Sequence, residues 1–156
     1  MGITERAQLD WSSLPFAYQE TDVNIRYTWR DGKWDEGVES DSKVLPLHVA
    51  ATCLHYGQAA FEGLKVYEAK DGRILSFRVE ENAKRMQHSA HTLMMEPFPT
   101  EMFKSAVQRV VRQNKRFIPP YGTGASLYVR PLLIGTGARV GVSPADEYMF
   151  LILVSP

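Results

Sequence analysis

The sequence has a single cysteine, no long apolar run and no net charge, and each shortage excludes a class of explanation. Cys53 has no partner for an internal disulfide, and the first residues carry no apolar signal core, so a cytoplasmic location is expected. The longest apolar stretch, Tyr148 to Val154, has the length of a strand. It is far short of the roughly 20 residues that cross a bilayer, so no membrane partner is expected. Lys plus Arg and Asp plus Glu balance at 18 each, which leaves no basic field to recruit nucleic acid. His48, His55, His88 and His91 lack the His-Glu-x-x-His spacing, and one cysteine cannot build a thiolate site, so no metal is expected. A Gly-x-Ser-x-Gly elbow is also missing, which weighs against a serine hydrolase.

What is present fits one folded domain. At 156 residues and 44% hydrophobic, the chain is long enough to bury a core without covalent staples. Residues 1–12 read as a loose lead-in and residues 13–156 as a single domain. Val23 to Arg30 alternates with period two and meets Asp31-Gly32 before Lys33-Trp34, which predicts a hairpin. A second hairpin is expected from Leu64 to Ala69, across Asp71-Gly72, to Ile74 to Arg78, and Val44 to Val49 is a further strand candidate. The period then changes: Val79, Ala83, Met86, Ala90, Leu93 and Met94 share one helical face, predicting a helix over about 80–95. Pro97 and Pro99 end it, Thr100 is a candidate N-cap, and Phe103, Ala106, Val107, Val110 and Phe117 mark a second amphipathic helix. Ala125 to Ile134 and Glu147 to Val154 read as strands around a Gly-rich loop that leads into no helix, so Gly135 and Gly137 are not a phosphate fingerprint. The expected fold class is α+β, a mostly antiparallel sheet with two consecutive helices on one face.

Few residues in this pattern demand a chemical explanation. Arg130 does, because it interrupts the apolar run Leu127 to Ile134, where a guanidinium must find a partner or suffer desolvation. Tyr128, two positions earlier, projects from the same strand face. Together they form either a carboxylate-recognising surface or one half of an internal ion pair, and the sequence alone leaves both open. On their own, Tyr56, Phe61 and Tyr128 read as ordinary core aromatics, and Arg85 falls off the apolar helical stripe onto solvent.

Five ordered patches go beyond that reading: His55-Tyr56-Gly57, Phe61-Glu62-Gly63, Asn82 with Arg85-Met86, Leu127-Tyr128-Val129-Arg130-Pro131, and Gly141-Val142. In this order the chain resembles the small N-terminal domain of the branched-chain amino acid aminotransferases, of the fold type IV class that depends on pyridoxal phosphate. The resemblance runs from about Leu14 to Pro156. It implies that Arg85 grips the cofactor's phosphate, that Phe61 and Tyr128 line a branched side-chain pocket, and that Arg130 helps recognise the substrate carboxylate. It further implies that Tyr56 and Val142 reach into the neighbouring subunit's site of a homodimer, with branched-chain amino acids and glutamate or 2-oxoglutarate as substrates. Glu20 stands where some members carry a pocket-closing aromatic, with Tyr18 a candidate substitute.

In that family the lysine that forms the Schiff base lies in a larger second domain, and no lysine of this chain stands in the expected context. A 156-residue fragment with no catalytic residue of its own and no transaminase activity is therefore the expectation. Two alternatives accompany it: a standalone, non-catalytic binding module on the same scaffold, and a relative of D-amino acid aminotransferase or aminodeoxychorismate lyase.

Overall fold

The computed structural model describes residues 5–156. Both predicted hairpins form where turn chemistry placed them. β1 (Asn24–Arg30) returns as β2 (Lys33–Trp34), with Arg30 opposite Lys33. Asp31 and Gly32 both take positive φ, the backbone that a two-residue turn needs to match the strand twist. β5 (Leu64–Glu68) pairs with β6 (Ile74–Ser76) across a longer loop in which Gly72 alone takes positive φ.

The Val44 to Val49 strand does not form. Pro46 cannot donate to a ladder, and Val44 and Val49 are exposed in an irregular segment. β1 pairs instead with β3 (Val38–Ser40), with Ile25 opposite Glu39. Two short elements also escaped the pattern: α1 (Thr52–His55) and β4 (Ala59–Phe61). β7 (Leu127–Gly135) and β8 (Tyr148–Ser155) are the long central strands. The complete sheet is antiparallel, in the order β2-β1-β8-β7-β5-β6, with β3 on β1 and β4 on β7.

One face of the sheet is covered by α2 (Val79–Thr92) and α3 (Thr100–Gln113). Ala83, Met86 and Ala90 are buried as predicted, but Leu93 and Met94 lie past the end of α2, where Met94 turns to positive φ and both side chains face outward. Pro99, not Thr100, is the capping residue of α3; the Thr100 hydroxyl accepts from Gln87 Nε2 at 3.1 Å instead. Between helices and sheet lies an aromatic centre, with Phe98 and Phe150 stacked at 3.8 Å and Tyr27 edge-on to both. The α+β class with two consecutive helices on one face is thus the fold observed.

The lead-in is less loose than its composition suggested. Residues 1–4 lie outside the described residues, but Arg6 donates to both oxygens of the partly buried Glu68 at 2.7 Å and to the Ile118 carbonyl, and the Ala7 amide donates to the Arg116 carbonyl at 2.9 Å. A second tie joins Asp22 to Arg116, whose Nε and Nη2 donate at 2.7 and 2.6 Å. Those hydrogen bonds hold the Asp22 carboxyl below its ordinary value of 3.8. Stability from this pair is therefore fully present above that value and is lost as pH falls through the lowered one. The stability difference between the protein and its Asp22→Asn variant should stay constant from neutral pH down to about 5 and shrink below about 4. Urea titrations at stepped pH check this; a difference that grows as pH falls would contradict it.

Candidate functional site

The face of the sheet away from the helices is where the singled-out residues gather. Alternation along β7 sends Leu127, Val129 and Leu133 into the core, and Tyr128, Arg130 and Leu132 outward. Register then fixes their neighbours: Lys65 opposite Tyr128, Phe61 opposite Leu132, and Leu153 on β8 opposite Arg130.

Among the described residues no carboxylate pairs with Arg130, so the ion-pair alternative does not apply. Its guanidinium lies 4.4 Å from the Phe61 ring centroid and 5.1 Å from that of Tyr128, and its Nε donates to the Tyr128 hydroxyl at 3.1 Å. Two aromatic faces therefore set the plane of the guanidinium, leaving most of its donors for an incoming anion. Phe16 packs edge-on against Tyr128 at 5.4 Å and fixes that ring in turn. A cleft of about 330 Å³ opens here, lined by Phe16, Tyr18, Lys65, Tyr128, Arg130 and Ser155 among others. Its two cations, Lys65 and Arg130, meet no anion among the described residues, and apolar walls stand beside them. An anionic group attached to an apolar body suits such a surface. Tyr18 lines this cleft and Glu20 does not.

Gly63 is a requirement of this arrangement. It lies opposite Arg130 on the cleft side, and a Cβ there would overlap the Tyr128 hydroxyl. Its neighbour Glu62 points the other way, beneath α2. The Glu62 amide donates to the Pro131 carbonyl at 2.9 Å, while Pro131 returns no N–H, and the ladder breaks between β4 and β5 at this point.

Arg85 reaches the sheet from α2 without entering the cleft. Its Nε and Nη2 donate to the two oxygens of Glu62 at 2.7 and 2.6 Å, and the carboxylate raises the Arg85 pKa above its ordinary value. The side chain is 65% exposed, against 5% for Glu62. Tyr56 and Val142 also lie off the cleft lining. The Tyr56 hydroxyl donates to the Val140 carbonyl, and Val142 is 91% exposed on the loop after β7. Phe61, Tyr128 and Arg130 are thus brought together, Arg85 is joined to them through the consecutive residues 61–63, and Tyr56 and Val142 are exposed outside the cleft.

Sequence reasoning passed over Glu62, Gly63, Lys65 and Phe16 as individual residues. The alternation Leu64, Lys65, Val66, Tyr67 was enough to place Lys65 on the Tyr128 face. Nothing in the sequence announced the burial of Glu62.

The family model for amino-transferase class IV matches residues 59–156, which begins at β4 and includes Arg85, Tyr128 and Arg130. The chain belongs to the class IV aminotransferases. Within this family it is 48% identical over 148 residues to a branched-chain-amino-acid aminotransferase of Haemophilus influenzae, covering 95% of this chain and 43% of that protein. It is 49% identical over 156 residues to the chloroplastic branched-chain-amino-acid aminotransferase 5 of Arabidopsis thaliana, covering 99% of this chain and 37% of that one. The chain thus spans about two fifths of the length of the curated relatives it matches. Among solved structures, the branched-chain amino acid aminotransferase of Escherichia coli aligns with a TM-score of 0.63 and 26% identity, over 83% of this chain and 39% of that one. The antiparallel sheet with its helix pair is therefore the small-domain fold of the class IV enzymes. Among the described residues no helix is long and apolar enough to cross a membrane.

Proposed function

We propose that the protein carrying this chain is a branched-chain amino acid aminotransferase, moving the amino group of leucine, isoleucine or valine to 2-oxoglutarate with pyridoxal phosphate. The observation that carries this reading is Arg130, a guanidinium with no carboxylate partner among the described residues, stacked between Phe61 and Tyr128 at the mouth of a partly apolar cleft. Such a group receives a substrate carboxylate bidentately while the aromatic walls take the branched side chain. Lys65 adds a second cation for the extra carboxylate of glutamate.

Arg85 fits one side of the cofactor's phosphate. It is exposed, held in place by Glu62, and keeps free N–H donors on the edge away from that carboxylate. Pyridoxal phosphate, when bound, supplies the electron sink for the amino-bearing carbon. The residues of this chain bind and orient: Arg85 the phosphate, Arg130 and Tyr128 the carboxylate, Phe61 the side chain. The exposed pair Tyr56 and Val142 is assigned to the second subunit's site in a homodimer, which accords with apolar side chains left facing outward.

The protein expressed from its full reading frame, given 15N-leucine and 2-oxoglutarate, should yield 15N-glutamate and the leucine keto acid. No transfer from leucine, isoleucine or valine would overturn the proposal, and transfer from D-alanine in their place would move the protein to the D-amino acid branch of the family.

A further inference from the structure

Residues 61–63 are three consecutive positions with three different tasks, and only the middle one serves no part of the cleft. Phe61 supports Arg130, and Gly63 makes room for Tyr128. Glu62 is a carboxylate only 5% exposed, on the helix side of the sheet, where an unpaired charge would be costly. It is fully engaged. Arg85 Nε and Nη2 meet its two oxygens at 2.7 and 2.6 Å, Asn82 Nδ2 donates to Oε2 at 3.0 Å, and the same Asn82 amide donates to the Gly63 carbonyl at 3.3 Å. Asn82 and Arg85 lie one turn apart on α2, so both reach the same carboxylate from one helix face.

This arrangement has a directional consequence. A guanidinium carries five N–H groups in a plane, and a carboxylate on the Nε/Nη2 edge uses two of them. The donors left over lie along the Nη1/Nη2 edge, which is itself a two-donor fork and does not face the Glu62 carboxylate. A long side chain that is 65% exposed would otherwise sample many rotamers, each with a different edge outward. The carboxylate also opposes an incoming anion, so the pair trades electrostatic attraction for fixed geometry.

We propose that Glu62 is the positioning residue of the phosphate anchor, locking Arg85 so that its Nη1/Nη2 edge is already set for two phosphate oxygens. Glu62 acts only through Arg85 and touches no substrate. The inference rests on the reading of Arg85 as the phosphate anchor, and the test separates the two.

The protein from its full reading frame is stripped of cofactor and titrated with pyridoxal phosphate and, separately, with phosphate-free pyridoxal, the dissociation constants being read from cofactor absorbance. Four forms are compared: the parent, Glu62→Gln, Arg85→Ala and the double variant. Glu62→Gln keeps the side-chain shape but offers an amide N–H where Arg85 needs an acceptor. It should weaken pyridoxal phosphate about tenfold, the scale on which partners behind a ligand-holding residue act, and leave pyridoxal unchanged. In the Arg85→Ala background the same change should add nothing, since the two act as one unit. Equal weakening of both ligands, or a full Glu62 effect without Arg85, would reduce Glu62 to structural support and overturn the proposal. An Arg85→Ala variant that loses no affinity for pyridoxal phosphate relative to pyridoxal would overturn the anchor reading, and the inference with it. Thermal unfolding confirms that each variant folds; Glu62→Asp, which keeps the charge but withdraws it from the fork, gives the same comparison with the carboxylate retained.

Discussion

Replacing Phe150 by Ala is expected to lower stability by about 3 to 5 kcal/mol, as for other large aromatic truncations in close-packed cores. Phe150 is fully buried on β8, the strand held between β1 and β7, and its ring lies flat on Phe98 at an interplanar angle of 7°. Tyr27 packs edge-on and Phe103 tilted against the same ring at 6.0 and 5.7 Å. The hole left by Ala would be bordered by β1 through Tyr27, by α3 through Phe103 and by Phe98 between the helices, none able to close it without shifting the others. Domains of this size are stable by only about 5 to 15 kcal/mol in total, so the loss is a large share. Urea denaturation of parent and variant at equal protein concentration measures it, and a loss under about 1 kcal/mol would show that the aromatic stack is not the centre of the core. Because β8 also carries Leu153 opposite Arg130, the cleft should loosen together with the fold.

The Arg130→Lys exchange should act in the opposite manner, with little change in stability and a large change in substrate binding. Lys keeps the charge but has no plane to stack between Phe61 and Tyr128 and no fork for a carboxylate. One charge-assisted hydrogen bond lost is worth about 1.5 to 3 kcal/mol, which converts to a rise of roughly ten- to hundredfold in KM. On the proposed function Arg130 holds the carboxylate in the substrate and throughout the reaction, so the loss is expected to fall on KM more than on kcat.

How much of this could be read from the sequence depended on whether the cause was local. Asp31-Gly32 and Asp71-Gly72 announce hairpins because turn geometry is decided by the turn residues themselves, and both formed. Ala83, Met86 and Ala90 announce a buried helix face for the same reason. Val44 to Val49 misled because β-branched residues carry strand propensity without a partner to pair with, and β3 took the edge of β1. β4 was invisible as a strand because its three residues owe their pairing to β7.

The site divides along the same line. Arg130 was conspicuous as a charge in an apolar strand, yet choosing between an ion pair and an open recognition surface required knowing what lay across the sheet. Arg85 is exposed, and helical periodicity could only assign it to solvent; the family resemblance, not the physics of the helix, drew attention to it. Glu62 could not be recognised as a buried charge until α2 was placed over it, because its partners Asn82 and Arg85 lie 20 and 23 residues away.

Steady-state kinetics of the protein from its full reading frame, with leucine varied and Arg130 either intact or changed to Lys, tests most directly whether the open sheet face is the carboxylate-binding wall. KM is expected to rise roughly ten- to hundredfold, with kcat within a few-fold and the unfolding midpoint unmoved. A KM equal to that of the parent would contradict it.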